Sequence, residues 1–444
     1  MITNQHILSP YLFLFESIKN GYLAYNGLNN SFIKINKDLY ELLNKAKSNI
    51  SALEELDNES YEILKANFII CTEEIIQTQI NHKTFLRNYG FYQHDSLNLT
   101  IAPTSSCNFM CYYCYESGIA PKTMNDITIK YLIDFIVEKC KKTQNKLKIF
   151  WYDGEPLLAT DQIGKILEKL KEQNINIISQ SIVTNGFFLN NENIAFLKTN
   201  NISFVQVTLD GVNPETHNER RKNKDGTGSW EKILSNMDNI IKNEHDIFVA
   251  VRCNVAKDNQ EEFQLLKEFL EKRWANAENY TIYPGYLRNY SDNTPDCHCF
   301  TDIESSNFII AQGVKNNKLD YFSYQVGGCS ANQYNSYVIG PSGELYKCWN
   351  DFGRDEKVVG NIKDKKEKNN DLLLHYLSGH SMLDDEKCKN CCLFFVCAGG
   401  CHWIRVNNYL NNRNDSYCNV LKANTSLFLE EYYELKKKQN EENH

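Results

Sequence analysis

Between residues 97 and 290, short apolar-rich runs alternate with longer segments in which apolar residues recur every three or four positions. The spacing predicts strands over 97–102, 147–152, 179–184, 203–209, 247–255 and 279–283, and helices over 125–142, 160–172, 191–199, 229–243 and 259–272. Asn125-Asp126 ahead of Ile127 supplies a helix start, because a short polar side chain accepts from a free N–H of the first turn. Alternation of this length predicts parallel strands with right-handed crossovers, an α/β fold.

The flanks have other rhythms. In 7–90, Tyr11–Phe15, Gly21–Tyr25 and Ser31–Ile35 read as strands around the turn residues Asn26-Gly27 and Asn29-Asn30. Helical patterns follow at Lys37–Lys45, Ser51–Leu56 and Ser60–Ala66, and Phe68–Thr72 closes the unit with an apolar segment. A small sheet with a free edge can take an extended peptide as one more strand; otherwise the unit is a cap on the main domain. Towards the other end, Pro341-Ser-Gly343 turns a hairpin between Asn335–Ile339 and Glu344–Lys347. Leu421 to Glu442 is a helical pattern whose Lys436–Lys438 lie where the helix dipole favours cations.

Length and charge narrow the field. The 444 residues allow two or three domains. A formal charge of −8 without a long basic run excludes nucleic acid as the expected partner. No apolar run reaches membrane-spanning length and the start is not a signal peptide, so a cytoplasmic protein without a membrane partner is expected. In a reducing compartment the 16 cysteines, 11 of them after residue 250, point to metal or cluster ligation rather than a disulfide framework. Cys71, Cys140 and Cys253 stand alone in apolar or helical settings and read as small buried hydrophobes; Cys392, beside Cys391, reads as structural.

The sharpest chemistry lies just after the first strand. Cys107, Cys111 and Cys114 have the spacing C-x3-C-x2-C on one tight loop. Three thiolates there can hold three irons of a [4Fe–4S] cube and leave the fourth open to a ligand. A zinc site or three packed core cysteines are the plainer alternatives. The loop resembles the signature of the radical SAM enzymes, in which S-adenosyl-L-methionine chelates the free iron. The resemblance implies a partial (β/α)6 TIM-like barrel over 91–290 with its chemistry at the carboxyl ends of the strands. It assigns cofactor contacts in order along those strands. Asp153, Gly154 and Glu155 stand where the family has Gly-Gly-Glu-Pro, with Asp153 a departure; Glu155 would hold the methionine ammonium. Thr184 and Asn185 follow the third strand and Asp210 the fourth. Arg252 and Asn254 share one face of the fifth, and Tyr113 would lie near adenine. The polar segment Thr216–Lys222, a solvated loop or helix start by composition, resembles a His-x2-Arg pattern near the substrate mouth, so His217, Arg220 and Arg221 become possible substrate contacts.

The rest of the chain extends the resemblance. Cys329, thirteen residues, Gly343, four residues and Cys348 precede Cys388, Cys391, Cys397 and Cys401 as C-x2-C-x5-C-x3-C, with Cys418 after sixteen more. This is similar to the SPASM extension of peptide-maturing radical SAM enzymes. The resemblance implies two auxiliary [4Fe–4S] clusters, one on Cys329, Cys348 and Cys401 and one on Cys388, Cys391, Cys397 and Cys418, hence three clusters in all. Some relatives have a further cysteine where this chain has Ser323; the first auxiliary cluster then has an open iron, or takes Cys297 or Cys299. The front unit resembles the winged-helix recognition element of peptide-modifying enzymes. The expected organisation is a winged-helix-like α+β recognition element over 1–90, the barrel over 91–290, a bridging region over 291–328, a SPASM domain over 329–425 and a terminal helix over 426–444.

The activity implied is hydrogen-atom abstraction by a 5′-deoxyadenosyl radical from a ribosomally made precursor peptide, closing a thioether or carbon–carbon crosslink, with ferredoxin or flavodoxin as reductant. The alternative within the same chemistry is an anaerobic sulfatase maturase, which makes formylglycine. That family usually has an aspartate directly after the second hairpin cysteine, where this chain has Trp349, with Asp351 the nearest aspartate. A non-catalytic metal-binding peptide scaffold is the alternative outside enzymes.

Overall fold

The computed structural model describes residues 6–92, 95–287, 298–315, 329–364 and 368–442. The chain divides into two compact units, one of residues 94–300 and 334–377, the other of 1–93, 301–333 and 378–444.

The first of these is built on one sheet. Its six leading strands, Leu97–Ile101, Lys146–Trp151, Asn176–Thr184, Phe204–Thr208, Phe248–Val255 and Tyr280–Tyr286, lie side by side in chain order and pair in parallel. Alternation drives this. Leu97, Leu99 and Ile101 are buried while Asn98 and Thr100 between them are half-buried, and on the fifth strand Val249, Val251, Cys253 and Val255 are buried along with Ala250 and Asn254, as suits a strand covered on both faces. Helices Asp126–Cys140, Thr160–Glu172, Asn191–Thr199, Trp230–Asn243 and Glu262–Arg273 supply the crossovers. Each turns apolar residues inward, Ile129, Leu132, Ile133 and Ile136 on the first of them, worth about 1.5–3 kcal/mol per fully buried side chain. The Asn125 side chain caps that helix by accepting from Thr128 N at 2.8 Å.

The hairpin belongs to the same sheet. Ser336–Ile339 pairs in parallel with the first strand, Val338 opposite Thr100 and Ile339 opposite Ile101. Glu344–Tyr346 and Gly360–Asn361 then add antiparallel strands, giving nine strands in all. Residues 334–377, with the hairpin, lie in this unit, while 301–333 and 378–444 lie in the other.

In the other unit Leu12–Ser17, Gly21–Asn26 and Ser31–Ile35 form an antiparallel meander. Helices Lys37–Ala46 and Asn58–Ala66, with a 3-10 turn Ile50–Glu55 between them, bury Leu43, Leu53 and Leu64 against its face. Within residues 6–92 two elements go beyond the expectation. His6–Leu8 pairs antiparallel with Ile70–Thr72, and a twenty-residue helix runs over Glu73–Tyr92. Ile75, Ile76 and Ile80 of that helix pack with Phe394 and Phe395, so the surface that stabilises it comes from more than 300 residues downstream. The terminal helix begins at Thr425 after a 3-10 turn Val420–Asn424. Its Glu430 accepts from Ser17 Oγ at 2.6 Å, and Tyr433 meets the Phe32 ring edge-on at 5.2 Å.

No described helix is long and apolar enough to cross a membrane. Ser323 and Cys297 lie outside the described residues. Cys299 is disulfide-bonded. Cys71, Cys140 and Cys253 are buried.

Candidate active site

The cysteine loop leaves the carboxyl end of the first strand and is clamped from three sides. Glu155 N donates to Ser106 O at 2.8 Å, bringing the turn after the second strand onto the loop. Gly154 makes this approach possible: it has φ +58°, and a Cβ there would lie 2.6 Å from Thr104 O and 2.7 Å from Ser106 O. From the other side, Arg221–Asn223 forms an antiparallel ladder with Phe109–Cys111, Arg221 opposite Cys111 and Asn223 opposite Phe109. Asn185 reaches in from the third strand, donating to Asn108 Oδ1 at 2.7 Å with its Nδ2 3.9 Å from Cys107 Sγ.

The three thiols are free, and burial pushes all of them up, Cys107 to about 11. The charges of neighbouring thiolates and carboxylates push the same way, while the Arg221 guanidinium opposes them at Cys107 and Cys111. Three mutually repelling, desolvated sulfurs on one loop become favourable together only when a strongly positive centre replaces their protons, which is what the irons of a cluster provide. Among the described residues no three His, Cys, Asp or Glu side chains close on a single ion-sized point. Three free thiols on one loop are the donor type that a [4Fe–4S] cube takes as ligands.

Two polar networks flank the loop. In one, Asp210 is fully buried, accepts from Asn254 N at 2.8 Å, and is bonded by Tyr113 Oη. Tyr113 Oη also accepts from Arg221 Nη1 at 2.9 Å and Asn254 Nδ2 at 3.1 Å, and Arg252 Nε donates to Asn254 Oδ1 at 2.9 Å. In the other, the buried Glu155 carboxylate accepts from Thr184 Oγ1 at 2.7 Å, Asn185 N at 2.7 Å and Leu157 N at 3.1 Å. Two carboxylate oxygens offer about four acceptor positions, so capacity remains for one further donor. Every cofactor contact expected from the sequence therefore falls at a strand's carboxyl end beside the loop or within these networks. Asp153, with φ +69°, turns its carboxyl inward; Tyr115 Oη donates to it at 2.5 Å. Burial and the nearby Glu116 raise it well above the usual carboxylate range, and burial raises Glu116 as well, to about 7.

The segment 216–222 is not a solvated loop. Pro214–Arg220 is helical, and His217, Arg220 and Arg221 are all buried. His217 Nδ1 accepts from Asp210 N at 3.1 Å and Nε2 meets Ser229 Oγ at 3.0 Å. Burial, with Arg221 and Arg220 nearby, holds its pKa well below the usual histidine value. Arg220 Nη1 donates to Tyr112 Oη at 2.9 Å and Asp258 Oδ2 at 2.5 Å. These side chains carry the cysteine loop. Composition misread them because their polar partners come from strands and loops far away in sequence. Tyr115 and Glu116 were also missed; the signal for them was Asp153 itself, since a carboxyl replacing glycine in a tight turn needs donors near it.

In the other unit, Cys388, Cys391, Cys397 and Cys418 lie on segments that fold toward one another. Cys391 N donates to Cys388 O at 3.0 Å and Gly399 N to Cys397 Sγ at 3.3 Å. Cys401 N donates to Tyr417 O at 2.8 Å. Gly400, with φ +74°, allows that last approach, since a Cβ there would stand 1.8 Å from Tyr417 O. Cys388 Sγ receives Arg405 Nη2 at 2.9 Å. Two of these sulfurs are thus already hydrogen-bond acceptors. Cys329 and Cys401 belong to this unit and Cys348 to the unit of residues 94–300 and 334–377.

Known proteins share this architecture. Residues 101–270 match the Radical SAM superfamily. The chain is 27% identical over 355 residues to a cysteine-type anaerobic sulfatase-maturating enzyme of Clostridium novyi, covering 74% of this chain and 94% of that one. It is 21% identical over 444 residues to the radical SAM cyclopropyl synthase TigE of Paramaledivibacter caminithermalis, covering 89% of each. Among solved structures, native anSMEcpe with bound AdoMet and Cp18Cys peptide superposes with a TM-score of 0.60 at 19% identity, covering 78% of this chain and 99% of that one. The match, the parallel sheet and the cysteine loop agree on residues 101–270: this part of the chain matches the radical SAM domain.

Proposed function

We propose that the protein modifies a ribosomally made precursor peptide by hydrogen-atom abstraction, closing a thioether or carbon–carbon crosslink. The observation that carries this is the extent of the likeness. The sulfatase-maturating relative covers 74% of the chain, whereas the cyclopropyl synthase covers 89%. The front unit has the three-stranded meander and helices expected of a peptide-recognition element, and Ser31–Ile35 forms an edge of that sheet. An extended segment of substrate can pair there.

In this reading Cys107, Cys111 and Cys114 hold the catalytic cluster, and S-adenosylmethionine supplies, when bound, the 5′-deoxyadenosyl radical that removes hydrogen. The chain's own part is positioning. Glu155 offers its remaining acceptor capacity to the cofactor's ammonium. Asp210, Tyr113, Asn254 and Arg252 fix the opposite wall, and Thr184 and Asn185 lock Glu155 in place. Buried Arg220 and Arg221 hold the loop rigid against its ladder. Cys388, Cys391, Cys397 and Cys418 hold an auxiliary cluster. Ferredoxin or flavodoxin delivers the electron, and the cytoplasm supplies the reducing setting that so many ligating thiols need.

Sulfatase maturation is the second reading, favoured by the relative matched over 94% of its length. Against it, Trp349 directly follows Cys348, and Asp351 is fully buried and bonded by Tyr376 Oη at 2.6 Å. The test is anaerobic reconstitution with iron and sulfide, then assay with S-adenosylmethionine and either a sulfatase-derived Cys or Ser peptide or the short peptide encoded beside the gene. 5′-Deoxyadenosine together with loss of two hydrogens from the encoded peptide supports the proposal. Formylglycine in the sulfatase peptide alone overturns it in favour of the second reading.

A further inference from the structure

Arg405 is buried on the helix His402–Leu410, and all three guanidinium nitrogens are engaged. Nη2 donates to Cys388 Sγ at 2.9 Å, Nη1 to Asp385 Oδ2 at 2.7 Å and Nε to Gly399 O at 2.8 Å. Its carbon lies 3.8 Å from the Tyr417 ring centroid, and Tyr417 Oη donates to the same Asp385 oxygen at 2.6 Å. Each contact falls on a different cysteine-bearing stretch: Asp385 precedes Cys388, Gly399 follows Cys397, and Tyr417 adjoins Cys418. The remaining thiol, Cys391, has the Lys422 ammonium beside it. A further buried cation, Lys83, donates to Phe395 O and Cys397 O, each at 3.1 Å. Three cations and one carboxylate surround four thiols.

We propose that Arg405 is a positioning residue that sets the reduction potential of a [4Fe–4S] cluster on Cys388, Cys391, Cys397 and Cys418 and so makes that cluster an electron acceptor rather than a structural staple. The inference rests on the auxiliary-cluster reading above. A four-thiolate cubane is anionic and gains another negative charge on reduction, so an N–H···S bond and a buried positive charge stabilise the reduced form more than the oxidised one. A purely structural site would need the thiols and the backbone turns; it would not need a buried guanidinium aimed at sulfur, whose desolvation is costly.

The experiment is an EPR-monitored redox titration of the anaerobically reconstituted full chain, with the auxiliary signal identified by its loss in Cys391→Ala. In Arg405→Gln the reduced-to-oxidised ratio at fixed poise is expected to fall about tenfold, a shift of about 59 mV to more negative potential for a one-electron couple. Arg405→Lys should recover part of it. Lys83→Met, which leaves the sulfur contact alone, should shift the midpoint in the same direction by less, and it carries the test where Arg405→Gln does not load. A loaded Arg405→Gln titrating at the wild-type midpoint overturns the inference, as does an unchanged Lys83→Met in a background where Arg405→Gln is empty. A wild-type chain that takes up iron for the barrel cluster alone sinks the auxiliary-cluster reading itself, an outcome distinct from an unmoved midpoint.

Discussion

At Cys107–Cys114 the charged side chains hold one another, whereas at Cys388–Cys418 one of them donates to a sulfur. Around the first site Arg221 is spent on Tyr113, Asp210 on Tyr113 and Asn254, and Glu155 on Thr184 and Asn185. Among the described residues, Phe109 N at 3.4 Å and Asn185 Nδ2 at 3.9 Å approach Cys107 Sγ. Around the second, Arg405 and Gly399 N both reach thiols within 3.3 Å. The same ligand atom is therefore placed in two kinds of surroundings. One set of polar groups is arranged around a space beside the loop and suits a site that must admit a cofactor. The other is arranged on the sulfurs themselves.

The largest expected difference comes from breaking each site in turn. Cys111→Ala should abolish 5′-deoxyadenosine formation while leaving auxiliary iron in place. Cys391→Ala should lose iron yet still cleave S-adenosylmethionine without peptide. Loss of that uncoupled activity in Cys391→Ala would erase the distinction between the sites. Next is Asp210→Asn. Weakening a buried, charge-assisted bond costs about 1.5–3 kcal/mol, so KM for S-adenosylmethionine should rise about 10- to 100-fold with the auxiliary EPR signal unchanged.

A smaller effect separates the sites by pH. His217 is neutral in the fold because Nδ1 accepts from Asp210 N and burial disfavours the cation. Its folded pKa lies below the unfolded value of about 6.5. The stability it contributes is fully present above that value and is lost as pH falls towards the folded pKa. The thermal midpoint of the wild type should therefore drop between pH 7 and 5, with a shallower slope in His217→Asn. An identical slope in both would assign the pH dependence elsewhere. The smallest effect is general: Asn125→Ala removes a helix cap and should cost about 1 kcal/mol in unfolding stability without touching either site.

Much of the parallel sheet and its crossover helices was legible because strand alternation and helix caps are local. Asn125 and Asn190 each cap the helix that the pattern placed after them, and the strand ends delivered Glu155, Asn185 and Asp210 to one rim. What escaped depends on distant partners. The helix Glu73–Tyr92 has no compact apolar stripe of its own and is held where Ile75, Ile76 and Ile80 meet Phe394 and Phe395. His217, Arg220 and Arg221 looked like a solvated run because their compensating groups, Asp210, Tyr113, Asn254 and Asp258, are scattered over nearly 150 residues. Arg405 carried no sequence signal, since nothing in its own helix marks a sulfur as its acceptor.

The parallel pairing of Ser336–Ile339 with Leu97–Ile101 also bears on how the chain is made. The first strand has one neighbour as soon as the second is synthesised, but its other edge waits for residues more than 230 positions later. Until the hairpin emerges from the ribosome, that flank of Leu-Asn-Leu-Thr-Ile is an open ladder able to recruit another chain. A chain stopped at residue 300 should therefore aggregate during expression, and supplying 301–444 in trans should reduce that aggregation.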